Sequence, residues 1–89
     1  MLKLKTHRRF EKDARLASRR GKNTEKLWVI IRQLQAGKPL AAHHRPHRLT
    51  GDWSPNLECH IEPDWLLIYS VSADTLELLR TGTHSDLFG

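Results

Sequence analysis

Five ionisable side chains have types suited to chemistry on a phosphate ester: His47, His60, Asp64, Arg80 and His84. Histidine titrates near neutral pH, so an imidazole can both take and give a proton there. Arginine stays charged and grips phosphate oxygens in pairs. Asp64 can orient an imidazole or act as a base itself. Together these groups meet the needs of RNA cleavage without a metal. A base takes the proton of a ribose 2′-OH, an acid protonates the leaving 5′-oxygen, and a cation offsets the charge growing on phosphorus. Trp65 and Phe88 add faces on which unstacked bases can lie.

Each of these residues also has an ordinary reading. A lone histidine on a strand is commonly a solvated or satisfied polar residue, Asp64 suits a turn, and Phe88 suits a core. His43, His44 and His47 offer metal ligands. Neither an H-E-x-x-H pattern nor paired cysteines accompany them, so no metal or other cofactor is expected.

The stretch Cys59-His-Ile-Glu-Pro-Asp-Trp-Leu-Leu-Ile-Tyr69 must position three of these residues. Leu57 to Glu62 alternates polar and apolar residues, and Trp65 to Val71 is the longest apolar run, so the pattern predicts two strands. Pro63-Asp64 fits a tight turn between them. A two-residue loop there predicts the pairs Glu62–Trp65, Ile61–Leu66, His60–Leu67 and Glu58–Tyr69. One face then carries Cys59, Ile61, Leu66 and Ile68 as core. The other carries Glu58, His60, Glu62, Trp65, Leu67 and Tyr69 as a candidate functional surface. A loop at Ala73-Asp74 predicts a second hairpin pairing Val71–Leu76, Tyr69–Leu78 and Leu67–Arg80, which sets Arg80 on the face of His60.

Around this hairpin the chain supplies a scaffold. Leu2 and Leu4 alternate with Lys3 and Lys5, the pattern of an edge strand guarded by lysine. A helix follows from about His7 to Arg20, capped by Thr6, with a narrow apolar stripe of Phe10, Ala14 and Ala17 widened by Leu16. Its outer surface is basic, with Arg8, Arg9, Lys12, Arg15 and Arg19 available to nucleic acid; a merely solubilising surface has the same composition. Gly21 ends it, and Asn23 or Thr24 caps a second helix whose Leu27, Ile30, Ile31 and Leu34 face a core. Gly37 and Pro39 stop that helix. The short connection makes an αα-hairpin. A strand is expected over Arg45 to Leu49, and a tail from a Gly82 hinge to Gly89.

At 89 residues, the expectation is a single domain over residues 1–89. Fifteen Lys and Arg against ten Asp and Glu give a formal charge of +5 and a pI near 9.9, which favours an anionic partner. No apolar run reaches membrane-spanning length and the first residues lack a signal-peptide core, so no membrane association is expected. The lone Cys59 fits a reducing cytoplasm.

Three segments, taken together, resemble the YafQ branch of the RelE-type toxins: His47-Arg-Leu-Thr-Gly-Asp-Trp53, Cys59 to Tyr69, and Arg80-Thr-Gly-Thr-His-Ser-Asp-Leu-Phe-Gly89. The resemblance implies an mRNA interferase of a type II toxin–antitoxin module, cutting mRNA in the ribosomal A site by 2′-OH attack without a metal. It matches the family's active-site histidines to His47, His60 and His84, its acid to Asp64, its arginine to Arg80 and its terminal aromatic to Phe88. It departs at Arg48, where the family often has proline, and at Glu58, where aspartate is common. The fold expected is α+β: an N-terminal strand and αα-hairpin packed on a mostly antiparallel sheet of four to five strands, with the catalytic groups on the opposite face. The partners expected are a cognate antitoxin and mRNA on the ribosome, with ribosomal RNA contacts. Two other readings fit part of the pattern. One is a non-catalytic module of the same fold that binds RNA, the ribosome or the antitoxin. The other is a small DNA-binding domain, which has only the charge in its favour and no helix-turn-helix signal.

Overall fold

The apolar run Trp65–Val71 forms β4, near the middle of a five-stranded sheet, in a computed structural model that describes residues 1–89. In chain order the elements are β1 (Lys3–Thr6), α1 (Arg8–Arg19), α2 (Thr24–Gln35), β2 (His47–Arg48), β3 (Leu57–Glu62), β4, β5 (Thr75–Gly82) and α3 (His84–Phe88). Single 3-10 turns lie over Ala42–His44 and Gly51–Trp53. The strand order is β1-β5-β4-β3-β2, antiparallel throughout except that β1 runs parallel to β5. β1 is therefore an edge strand, as its lysines predict.

Both long helices form where their apolar spacing places them. α1 buries Phe10 and Ala17, and α2 buries Leu27, Ile30 and Ile31. The Asn23 side chain accepts the Glu25 backbone N–H at 3.1 Å and so caps α2. Thr6 does not cap α1. The His7 N–H donates to Leu78 O, which carries strand pairing one residue further and leaves His7 at the cap. The Thr6 hydroxyl donates instead to Glu11 Oε2 at 2.6 Å. β2 keeps only two of its five expected residues, because Arg45 adopts a left-handed backbone (φ 49°) and Pro46 has no N–H to pair.

The central hairpin corrects the expected register. Glu62 pairs with Trp65, but Ile61 is bulged out of the ladder, so His60 pairs with Leu66, Cys59 with Leu67, and Glu58 with Ile68. One extra residue flips every side chain beyond it. Trp65, Leu67 and Tyr69 thus join Cys59 and Ile61 under the helices, and Leu66 and Ile68 share the opposite face with Glu58 and His60. β4 is apolar on both faces, so its own pattern cannot fix which set faces the helices.

A second irregularity lies across β4 and β5. Val71–Leu76 and Tyr69–Leu78 pair as expected, after which Leu79 is skipped and Ile68 meets Arg80 while Leu67 meets Thr81. On the sheet face away from α1 and α2, Leu66, Ile68 and Leu87 form a small buried cluster with Leu49, Trp53 and Leu79 against it. The expected tail is thus a packed helix. A capping box joins Thr83 and Asp86, and Arg20, the C-cap residue of α1, grips Asp86 at 2.7 Å. No helix is long and apolar enough to cross a membrane.

Candidate active site

His47 on β2, Glu58 and His60 on β3, and His84 at the start of α3 line one open basin of about 670 Å3, together with Arg45 and Pro46. Three distant stretches meet here because β2 and β3 are adjacent strands and α3 folds back over the same sheet face. The imidazole centroids of His47 and His60 lie 6.4 Å apart, and those of His60 and His84 lie 5.7 Å apart.

The hydrogen bonds fix how each ring is presented. Nδ1 of His47 lies 2.7 Å from the Arg45 carbonyl, Nδ1 of His60 lies 3.2 Å from the Pro63 carbonyl, and Nδ1 of His84 lies 2.6 Å from Asp64 Oδ1. Carbonyl and carboxylate oxygens only accept, so each Nδ1 carries the proton. Nε2 is the nitrogen each ring keeps for proton transfer: that of His84 has no protein partner, and those of His47 and His60 lie near the Glu58 carboxylate.

Two carboxylates serve these rings in different ways. Asp64 is exposed on the turn between β3 and β4 and accepts both the His84 backbone N–H (2.9 Å) and its ring N–H through the same oxygen. The backbone bond first, then the ring, hold the Asp64 carboxyl below the usual carboxylate range. Asp64 thus orients His84 and ties the start of α3 to the hairpin. Glu58 is buried beneath the rings at 4% exposure. Its Oε1 lies 3.3 Å from His47 Nε2 and 3.8 Å from His60 Nε2, and its Oε2 is buried with no partner. A buried carboxylate oxygen without a donor is costly, and such groups concentrate where function requires them. The sequence reading placed Glu58 on the face of His60 through its i, i+2 spacing but gave it no role at the site.

Beside Glu58, the Cys59 thiol points into the helix-side core, where burial first and then the carboxylate push it up to about 12. It is not a nucleophile.

Two expected site residues stand elsewhere. Arg80 does not line the basin. Its guanidinium makes a two-point contact with Asp13 of α1, at 2.7 and 3.1 Å, and both side chains are 13% exposed. Asp13 also accepts the Thr81 N–H at 3.2 Å, taking the edge of β5 where β1 has ended. Trp65 offers no face to a base: it is 1% exposed, and its indole N–H donates to the Thr81 hydroxyl at 3.0 Å. The bulge at Ile61 put it under the helices. Phe88 keeps an open face at 45% exposure, edge-on to Trp53 with centroids 6.3 Å apart. Arg8, Arg9, Lys12, Arg15 and Arg19 are all exposed along α1, and none is in an ion pair. No three His, Cys, Asp or Glu side chains are arranged as a metal-binding cluster.

The family model for the bacterial toxin of the type II toxin–antitoxin system, YafQ, matches residues 2–89. The chain belongs to the YafQ toxin family. A relative from Escherichia coli (strain K12) described as mRNA interferase toxin YafQ is 40% identical over 81 residues, spanning 90% of this chain and 88% of its own. The YafQ-family fold is equally clear in solved structures. A chain of the E. coli DinJ–YafQ complex superposes with a TM-score of 0.92 at 37% identity, covering 100% of both chains. A copper-bound mutant toxin from Helicobacter pylori superposes with a TM-score of 0.93 at 42% identity, covering 99% of this chain and 100% of its own.

Proposed function

We propose that this chain is the toxin of a type II toxin–antitoxin module, an endoribonuclease that cuts mRNA on the ribosome and so stops translation. The observation that supports this is the convergence of three imidazoles on one basin, each with its Nδ1–H tied to a protein oxygen and two of them with Nε2 near the Glu58 carboxylate. A relative named as an mRNA interferase supports the same reading.

The reaction follows from those groups. One Nε2 takes the proton of a ribose 2′-OH as that oxygen attacks the adjacent phosphorus. The P–O5′ bond breaks, and a second, protonated imidazole gives its proton to the departing 5′-oxygen. The upstream fragment ends in a 2′,3′-cyclic phosphate and the downstream fragment begins with a 5′-hydroxyl. Asp64 holds the His84 ring in the required tautomer, and Glu58 stabilises positive charge on His47 and His60 as protons move. Phe88, one turn beyond His84, stacks on a base beside the scissile bond. The bare basic face of α1 contacts ribosomal RNA through its phosphates, which gives affinity without sequence choice. The enzyme needs no metal. Its partner is an acidic antitoxin segment, by analogy with the DinJ-bound relative.

The test is expression of the chain with and without its chromosomal neighbour, with 5′-end mapping of cellular mRNA. Growth arrest with new 5′ ends inside coding regions, both removed by the neighbour, is the expected result. Arrest without new mRNA ends overturns the nuclease reading.

A further inference from the structure

The basin that would hold a scissile phosphate contains two carboxylates at or beside it, Glu58 and Asp64, and its histidines are committed to moving protons. A phosphodiester brings a further negative charge, and a pentacovalent transition state brings more. Stabilising it needs a permanent cation at the site. Arg80, the position the family resemblance assigns, is neutralised by Asp13 and stands outside the basin. One lining residue remains with a permanent positive charge: Arg45.

Arg45 has three features of a substrate-facing cation. Its side chain is exposed and held by no carboxylate. Its backbone sits in the left-handed region (φ 49°, ψ 52°), which disfavours any residue with a Cβ, and such positions cluster at functional sites. Its carbonyl accepts the His47 ring N–H, so the turn that presents Arg45 is the turn that sets His47. Arg45 and His60 also line the wall of a second basin of about 380 Å3, where His43, Lys26 and Pro63 continue the surface. Arg45 therefore stands at the junction of the two hollows.

We propose that Arg45, rather than Arg80, is the residue that contacts the phosphate at this catalytic site, with the RNA strand continuing past it into the second basin. This rests on the nuclease reading above. Arg45 forms no bond and moves no proton; it offsets charge on the non-bridging phosphate oxygens as the 2′-oxygen attacks.

The test compares Arg45→Gln, Arg45→Lys and Arg45→Gly with wild type and with His84→Ala, on mRNA-programmed ribosomes over a range of salt and pH. Arg45→Gln should slow cleavage at saturating toxin by roughly 10- to 100-fold, below the full loss seen for enclosed oxyanion donors because this arginine is exposed. Arg45→Lys should recover part of that loss. The salt dependence of binding should flatten by about one phosphate contact in the Gln variant. The pH profile should keep its shape, since no proton-transfer group has changed. Arg45→Gly separates side chain from backbone, because glycine adopts the left-handed conformation freely. A Gly variant as impaired as the Gln variant supports the guanidinium. A Gly variant that cuts at the wild-type rate overturns the proposal, since the turn alone then suffices. So does a Gln variant with unchanged rate and salt slope while His84→Ala is inactive. If His84→Ala itself cuts normally, the nuclease site has failed, and that outcome is distinct from failure of Arg45 alone.

Discussion

Arg80→Gln should destabilise the protein without removing a group that touches RNA. The Arg80 guanidinium spans both oxygens of Asp13 at 2.7 and 3.1 Å. That hydrogen-bonded pairing raises the affinity of Arg80 for its proton despite burial. Removing one partner of a buried pair costs about 3–5 kcal/mol, because the other charge stays behind. Here both side chains keep 13% exposure and Asp13 retains the Thr81 N–H, so the loss falls to about 2–3 kcal/mol. A domain of this size loses about 4–8 °C of melting temperature per kcal/mol, which predicts a drop of roughly 10–20 °C. A double-mutant cycle with Asp13→Asn should return a coupling above about 1 kcal/mol. Thermal melts of the four proteins measure this, and cleavage assays run well below the lowered melting point measure the rest. Cleavage per folded molecule should stay within a few-fold of wild type. An unchanged melting point with cleavage lost would refute the reasoning, because it would make Arg80 a group that acts on substrate.

Other expectations follow from the same geometry. Replacing Arg8, Lys12 and Arg15 together by Gln should lower ribosome affinity and flatten its salt dependence by about two to three phosphate contacts. Cleavage-site preference should not change, and superimposable binding curves at several salt concentrations would count against the α1 surface. Trp65→Phe should cost about 1–2 kcal/mol through the lost indole–Thr81 bond while leaving RNA affinity intact, read by denaturant melts and filter binding. A loss of RNA affinity with stability retained would return Trp65 to the substrate surface. Arg20 first, and then the Thr83 N–H, hold the Asp86 carboxyl down to about 2. A depressed carboxylate adds stability that is complete above its unfolded value, near pH 4, and lost as pH falls through about 2. Asp86→Asn should therefore flatten the stability profile in that window. Half of Arg20 is in water, so we expect the effect at neutral pH to be only about 1 kcal/mol.

The scaffold was legible because its signals are local. Phe10, Leu27, Ile30 and Ile31 repeat at helical spacing, Asn23 caps, and Leu2 and Leu4 alternate with lysines at an edge. Register was not legible. β4 is apolar on both faces, so nothing in its own pattern marks Ile61 as the residue that drops out of the ladder. That one residue decided which face Trp65 occupies. The skip at Leu79 similarly shifted Arg80 from Leu67 to Ile68. Asp13, the partner of Arg80, lies 67 residues away in the chain, and no local pattern links the two. His60 and Asp64 could be placed because a tight turn joins their strands. Glu58 could be placed on the same face but not recognised, because its burial depends on what His47 and α3 cover. Arg45 gave no signal at all, since a left-handed arginine is a consequence of the turn between Ala42–His44 and β2.

The central claim is that the three histidines perform metal-free 2′-OH attack. It is tested most directly by the end chemistry of the RNA fragments that wild-type protein, His60→Ala and His84→Ala produce on mRNA-programmed ribosomes, with magnesium held constant and transition metals chelated. The account predicts upstream fragments ending in 2′,3′-cyclic phosphate and downstream fragments starting with 5′-hydroxyl, at wild-type rate under chelation. It predicts no fragments from either folded variant. Downstream fragments that begin with 5′-phosphate, or cleavage by His84→Ala at the wild-type rate, would contradict it.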